Sequence, residues 1–371
     1  MKLSRGTTPA AFLCEIPAGF LKNPLRKKRA CCMFILTKIK RTGLFMKYAI
    51  IGTSWITQAF IDSANTLKDF TLGGVYSRSL SHAVEFASKN NCDYAYDDLT
   101  TLAKSGVDAV YIASPNSLHY EQARLFLTHG KHVICEKPAA VWPDQLRELH
   151  DLARENGLVF MEAIMMLHQP HLGTVRESLK KLGKIGLARF DFSQYSSRYT
   201  AYLGGDLPNI FNPEFAAGCI MDLGIYVVYP ALYLFGRPKE IVTRASLLSS
   251  GVDAGFTSLF VYEDKQVVLT ASKAAESRIG SEILGDRGTM TIGTLFQLSD
   301  IGITYLDGKK EPITGGVPRL TLMANEARDF VRYIKRPQES AHELGAAQQL
   351  SLDVLETLTE MRRQAGVVFP E

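Results

Sequence analysis

Residues 131–138 read Lys131-His132-Val133-Ile134-Cys135-Glu136-Lys137-Pro138. His132 to Cys135 suit a buried strand, and the run stops on two charges and a proline. In an open parallel sheet, ligands sit beyond the carboxyl ends of the strands, so Glu136 and Lys137 are placed at a crevice. The residue before a proline is pushed out of the helical region and held extended. That constrains the backbone of Lys137 and aims its ammonium. A surface salt bridge closing a strand is the plainer reading of these eight residues, and the chain around them decides between the two.

That chain alternates strand and helix. Met46 to Gly52 is a short apolar run ending in glycine, followed by helical spacing over Thr57 to Leu67. Phe70 to Ser77, Asp108 to Ser114, His132 to Cys135 and Val159 to Ala163 read as further buried strands. Ser81 to Asn90, Tyr120 to His129 and Pro143 to Asn156 read as the helices between them. Such alternation predicts a parallel, doubly wound Rossmann sheet of class α/β. After Pro170 the pattern changes. Leu187 to Tyr195, Thr257 to Tyr262 and Val267 to Ser272 alternate apolar and polar residues, and Leu284 to Met290 carries glycines at a hairpin turn. With amphipathic helices over Met323 to Ile334 and Glu343 to Gln364, this predicts an α+β half with a large, mainly antiparallel open sheet. The expected organisation is a basic extension over 1–45, a dinucleotide-binding domain over 46–167, and a substrate-binding and dimerisation domain over 168–371.

At 371 residues the chain exceeds what one core usually holds, and 46% hydrophobic with 22% charged residues excludes a disordered composition. Ten of the 42 basic residues and one of the 38 acids lie in residues 1–45, so the remainder carries a net charge of −5. A mildly acidic body leaves nothing to follow a nucleic-acid backbone, and no uninterrupted apolar run is long enough to span a bilayer. Neither nucleic acid nor membrane is an expected partner. The basic stretch has three readings: a targeting segment, a binding arm built on Arg26-Lys27-Lys28-Arg29, or translation from an upstream start with Met46 as the natural first residue. The last is favoured, because Met46-Lys47 begins a strand directly; the extension is expected to be disordered. Of the six cysteines, Cys14, Cys31 and Cys32 lie in the basic stretch, and Cys92, Cys135 and Cys219 are scattered without metal-ligand or disulfide spacing, which fits a reducing cytoplasm and no metal site.

The first strand-to-helix turn is Gly52-Thr53-Ser54-Trp55-Ile56-Thr57. Set against G-x-G-x-x-G/A it keeps the first glycine, with Ser54 and Thr57 in the other two places. Its position after the first strand and before the first helix carries the dinucleotide reading more than its glycines do. The second strand ends in Ser77-Arg78, and no acid occurs between Asp69 and Glu85. An arginine there accommodates a 2′-phosphate, so NADP(H) is preferred and NAD(H) is possible. Ser114, Pro115, Asn116 and His119 close a central strand beside the cofactor ring, His119 with no acid–base role. Trp55 and Trp142 are both expected to flank the cofactor.

A degenerate glycine turn, S-P-N-x-x-H at residues 114–119 and E-K-P at 136–138 together resemble the glucose-fructose oxidoreductase/inositol dehydrogenase/MocA (Gfo/Idh/MocA) family, from about Lys47 to the C-terminus. The resemblance implies a cis bond at Lys137–Pro138. The family's E-A-F-M-x-R-F-x-P stands here as Glu162 to Pro170, with Leu167 in the arginine's place. Ala217-Gly218-Cys219-Ile220-Met221-Asp222-Leu223-Gly224-Ile225-Tyr226 is similar to its G-G-x-x-x-D-x-G-x-H, with tyrosine in the histidine's position.

On a helix, Asp222 and Tyr226 share one face. A carboxylate and a phenol among apolar neighbours must find partners or face a cavity. A buried Asp–Tyr bond holding the domain together is the competing structural reading. Gln194-Tyr195-Ser196-Ser197-Arg198-Tyr199 ends a strand with hydrogen-bonding groups that suit either a hydroxyl-rich ligand or a solvated edge. The resemblance implies an NAD(P)-dependent oxidoreductase moving a hydride between nicotinamide and a carbinol or carbonyl carbon of a sugar, polyol or cyclic diol. Lys137, Asp222 and Tyr226 would be catalytic, with either Lys137 or Tyr226 carrying the proton. A nearby ammonium is expected to favour the phenolate of Tyr226. Cofactor contacts would come from Gly52, Thr53, Ser54, Trp55, Ile56, Ser77, Arg78, Ser114, Pro115, Asn116, His119, Glu136 and Lys137. A homodimer or dimer of dimers is implied. The alternatives are a lyase or isomerase that recycles its nicotinamide, and a non-catalytic cofactor-binding regulatory protein.

Overall fold

The computed structural model describes residues 45–370. The basic extension expected over residues 1–45 falls, Phe45 apart, outside the described residues.

The first sheet is built from β1 (Met46–Ile51), α1 (Trp55–Ala64), β2 (Phe70–Tyr76), α2 (Leu80–Lys89), β3 (Ala95–Tyr96), α3 (Leu99–Ala103), β4 (Ala109–Ile112), α4 (Asn116–Thr128), β5 (His132–Glu136), α5 (Pro143–Glu155) and β6 (Phe160–Ala163). All its pairings are parallel, in the order β3-β2-β1-β4-β5-β6. Every residue of β4 is buried, as is every residue of β1 but Lys47. Helices on both sheet faces require such uniformly apolar strands. Strand order reverses between β1 and β4, and that switch point opens the crevice at their carboxyl ends.

The second layer follows with α6 (Leu172–Ser178), β7 (Ile185–Asp191), α7 (Ser197–Leu203), α8 (Ile225–Phe235), β8 (Glu240–Leu247), β9 (Asp253–Val261), β10 (Gln266–Ser272), β11 (Ser281–Gly285), β12 (Gly288–Thr294), β13 (Ser299–Tyr305), β14 (Lys310–Thr314), α9 (Arg319–Lys335) and α10 (Pro337–Ala365). Its eight strands run β14-β13-β12-β11-β7-β10-β9-β8, antiparallel except for the β7–β10 pair. Ala188 and Phe190 of β7 and Val267, Leu269 and Ala271 of β10 form part of its buried face, against which α8 packs with α10 behind it. The other face is mixed rather than apolar: Arg189 pairs with Glu282 at 2.7 Å, and toward the β8 edge Thr257 and Val242 are exposed.

Packing crosses the expected boundary at residue 167. Helix α9 returns to the first sheet and lies on α1. There Met323, Ala327 and Phe330 join Tyr48, Phe60 and Phe70 in one core, with the rings of Phe70 and Phe330 centred 6.2 Å apart. The segment Pro213–Phe235 is apolar and long enough to cross a membrane, but 83% of its most apolar window is buried inside the fold as a core segment.

Candidate active site

Lys137 follows β5 directly, and its bond to Pro138 is cis. Its Nζ donates to Asp222 Oδ1 at 2.8 Å and to the Asp222 carbonyl at 2.9 Å, and stands 4.5 Å from the ring centroid of Tyr226. Asp222 comes from a wide π-type turn over Ile220–Gly224 that runs into α8, and Tyr226 from the first turn of α8. Such turns cluster at functional sites because they re-aim side chains within a helix. The expected α-helical spacing is therefore locally widened, yet both groups still face Lys137. Gly218, at φ +111°, starts this segment; a Cβ there would lie 2.5 Å from Asp253 Oδ1, so the approach requires glycine.

The Lys137 side chain is only 11% exposed, whereas Asp222 opens 39% of its side chain to the cleft. Burial works against the charge on Lys137, but Asp222 outweighs it and holds the ammonium's pKa above that of an ordinary lysine. Burial likewise opposes the Asp222 charge, and Lys137 together with Lys273 overcomes it, holding the carboxyl well below the usual range. For Tyr226, burial raises the phenol and Lys137 pulls it only partly back. The expected phenolate-favouring influence of the ammonium is present, but desolvation exceeds it. The resting phenol keeps its proton.

These three groups share a cavity of about 390 Å³ with Trp55, Ile56, Ser114, Asn116, His119 and Glu136. The sequence-derived residues thus divide into two groups. Gly52, Thr53, Ser54, Ser77, Arg78 and Pro115 do not line the cavity; they sit around the crevice at the ends of β1, β2 and β4. Gly52, at φ +104°, faces β4 so closely that a Cβ would lie 2.7 Å from the Ala113 carbonyl. Ser54 starts α1 without spending its side chain as a cap, leaving the helix N-terminus open toward an anion. Together, the glycine cradle and the open helix end fit a pyrophosphate. Arg78 is exposed at the end of β2.

Several expected cofactor contacts are already engaged. Asn116 Nδ2 donates to the Ala216 carbonyl at 3.0 Å, tying the first sheet to the loop before Gly218. His119 is buried, with Nδ1 and Nε2 each 2.8 Å from the carbonyls of Pro138 and Ser114. Burial lowers its pKa, and neither nitrogen is free for acid–base work. Glu136 accepts from Tyr111 Oη. Trp142 departs from expectation: it is absent from the cavity lining and stacks with Arg362, 4.7 Å away, beside Phe369. Of the polar run 194–199, only Gln194 lines the cavity.

Sequence reasoning missed Phe192 and Phe296, which form an aromatic wall with Tyr226 at centroid distances of 5.1, 5.7 and 6.0 Å. It also missed Arg319, whose guanidinium lies 4.9 Å from the Trp55 ring at the cavity edge. The third omission was Lys273, which pairs with Asp222 from the second sheet. One signal was available: Lys273 continues the buried positions 267, 269 and 271, where a charge needs a partner. Among the described residues no cluster of three His, Cys, Asp or Glu is placed to hold a metal ion.

A switch-point crevice with an anion-ready turn on one side and a Lys–Asp–Tyr cluster on the other defines a nicotinamide-dependent oxidoreductase. Comparison with known proteins gives the particular family. Residues 46–164 match the model of the oxidoreductase family with an NAD-binding Rossmann fold, and 174–291 match the GFO/IDH/MocA C-terminal domain. The chain belongs to the Gfo/Idh/MocA oxidoreductase family, whose members include dehydrogenases acting on CH–OH groups, as the resemblance implied. Scyllo-inositol 2-dehydrogenase (NADP(+)) IolU of Bacillus subtilis is 42% identical over 326 residues, 88% of this chain and 98% of that protein. The uncharacterized oxidoreductase YgjR of Escherichia coli is 39% identical over the same shares of the two chains. Among solved structures, the 3-ketoreductase KijD10 from Actinomadura kijaniata, in complex with NADP and TDP-benzene, superposes with a TM-score of 0.76 at 21% identity, over 88% of this chain and 100% of that one.

Proposed function

We propose that the chain transfers a hydride between NADP(H) and a ring carbinol or carbonyl carbon of an inositol-like cyclic polyol, with sugars and cyclic diols as related substrates. The observation that carries this reading is the meeting of an ammonium from the end of β5 with a carboxylate from the turn before α8 and a phenol from the first turn of α8, all in one switch-point cleft. The nicotinamide supplies the hydride chemistry, and orientation and proton movement fall to the side chains. Lys137 bonds the reacting oxygen. Either Lys137 or Tyr226 passes the proton. Asp222 holds Lys137 and offers its open edge to a neighbouring hydroxyl.

The wall of Phe192, Tyr226 and Phe296 supports a six-membered carbocycle. When the hydroxyls of such a ring are equatorial, its faces carry only axial C–H groups and lie well against aromatic rings. Gln194 and Asp222 then meet the hydroxyl rim. IolU, by its name, acts on scyllo-inositol, a ring of this kind. Preference for NADP(H) over NAD(H) is supported by exposed Arg78 at the end of β2, where a 2′-phosphate would need a cation. In this reading residues 46–167 hold the cofactor and 168–371 the substrate, with α9 reaching back across the boundary. The mixed outer face of the second sheet is the surface for a homodimer, checked by sedimentation. Cys92, Cys135 and Cys219 are free thiols, which supports a cytoplasmic setting.

The test is direct. Purified protein with NADP+ and scyllo-inositol should accumulate NADPH, faster than with NAD+ at equal concentration. Binding of NADPH without turnover of any polyol, sugar or cyclic diol would favour the alternative, a non-catalytic cofactor-binding regulatory protein.

A further inference from the structure

Asp222 is held by two lysines, one from each sheet. Lys273 follows β10 on the buried side of its alternation, and its side chain is 2% exposed. A lysine so far from water costs stability unless its charge is matched. The match is Asp222 Oδ2, to which Lys273 Nζ donates. Both backbone groups of Lys273 are also fixed: its N–H donates to Ala254 at 2.8 Å, and its carbonyl accepts from Ser196 at 2.8 Å. Lys137 takes the opposite carboxylate oxygen, Oδ1, at 2.8 Å. Two ammoniums therefore share one carboxylate, and the three groups together carry an excess positive charge.

Among the described residues Asp222 is the only carboxylate within salt-bridge distance of either ammonium. Lys137 is influenced electrostatically by Tyr226, by Glu136 on its own strand, by Glu162 of β6 and by His119 of α4, besides Asp222. Glu136 and Glu162 are carboxyls raised by burial, His119 is held toward its neutral form by burial, and Tyr226 keeps its proton. Lys273 is coupled to Asp253 and Cys219 besides Asp222. Burial raises Asp253 to about 7 and Cys219 well above an ordinary thiol, so Asp253 is only partly charged near neutrality and Cys219 is neutral.

Building on the hydride-transfer reading above, we propose that Lys273 is a positioning residue: it holds Oδ2 so that Oδ1 faces Lys137, and it withdraws part of the counter-charge that would otherwise lock the proton on Lys137. Lys273 does not line the cavity and acts only through Asp222. With Lys273 neutral, the whole Asp222 charge falls to Lys137. The ammonium then parts with its proton less readily, and a vicinal hydroxyl loses the carboxylate edge oriented toward it.

The experiment compares wild type with Lys273→Met, Lys273→Gln and Lys273→Arg in the complete chain. Trace acetylation of Lys137 with acetic anhydride, read by mass spectrometry at fixed alkaline pH, reports its neutral fraction without substrate. In Lys273→Gln the labelling should fall on the order of tenfold, the equivalent of a one-unit change in proton affinity. Lys273→Arg keeps the charge and should label within about twofold of wild type, the difference left by its bulkier head group. In turnover, the alkaline limb of polyol oxidation should move up by about one pH unit in the neutral variants, with KM for NADP+ unchanged. Lys273→Gln retains a donor for Asp222 and serves if Lys273→Met does not fold. Faster labelling of Lys137 in the neutral variants, or an unmoved pH limb with only a lower Tm, would reduce Lys273 to a structural ion-pair partner and overturn the proposal. A wild type inactive on every polyol would defeat the functional reading alone, since the acetylation result stands without it.

Discussion

The Glu162 carboxylate accepts the backbone N–H of Ala139 at 2.8 Å, two residues beyond Lys137. Its other oxygen receives the hydroxyls of Tyr229 on α8 and Ser351 on α10, the latter at 2.6 Å. One buried side chain from β6 thus joins the turn that carries Lys137 to the helix that carries Tyr226. Glu162→Ala strands these donors away from water, and each stranded donor costs about 1–3 kcal/mol. Glu162→Gln keeps an acceptor for Ala139, and the two hydroxyls can turn to accept from its amide. Thermal unfolding should show a loss of about 3 kcal/mol or more for the alanine variant and under about half of that loss for glutamine. Turnover should follow the same order. Equal stability of the two variants would show that the carboxylate does not tie these elements together.

Lys137→Ala removes the group nearest the reacting oxygen. Asp222 keeps Lys273 as its partner, so the fold should hold. Turnover should drop by at least ~10²-fold, the usual scale of acid–base loss, while NADPH still binds. Unchanged turnover would remove Lys137 from the chemistry.

The first sheet was legible because parallel strands covered on both faces must be apolar nearly throughout, as Ala109–Ile112 is and as Met46–Ile51 is apart from Lys47. Lys137, Asp222 and Tyr226 were legible through motifs that put polar groups where local pattern alone predicts burial. What stayed hidden depends on contacts distant in sequence. Lys273 has its partner 51 residues away, and its stem looks like one more core position. Phe192 and Phe296 become a wall only when β7 and the turn after β12 are brought side by side. Arg319 reaches Trp55 because α9 returns to the first sheet, a crossing that no local periodicity records. The wide turn at Ile220–Gly224 was hidden for a different reason: its apolar spacing is equally compatible with an ordinary helix.

The charge state of the cluster sets a direction for pH dependence. Lys137 holds its proton above the ordinary lysine range because of Asp222, and burial does the same for the phenol of Tyr226. Near neutrality both candidates are proton donors. Reduction of a carbonyl needs a donor, and its kcat/KM should be nearly flat across the neutral range. Oxidation of an alcohol needs an acceptor, so its kcat/KM should rise with pH into the alkaline region. Profiles for wild type and Tyr226→Phe, measured in both directions, check this. An oxidation limb that levels off below neutrality would require a base other than these two.

Trp55 and Trp142 make the cofactor position visible in solution. Trp55 is 65% exposed at the cavity edge beneath Arg319, whereas Trp142 stacks with Arg362 away from the lining. A nicotinamide dinucleotide settling on the turn after β1 would lie beside the Trp55 indole and quench it. Tryptophan emission should fall on adding NADPH, and the fall should vanish in Trp55→Phe but persist in Trp142→Phe. Arg78 adds a second reading. If its guanidinium meets the 2′-phosphate, Arg78→Ala should weaken NADPH binding roughly tenfold or more, the scale of one charge-assisted bond, and leave NADH titrations unchanged. Quenching that survives in Trp55→Phe would place the dinucleotide elsewhere, and equal weakening for both cofactors would remove Arg78 from phosphate recognition.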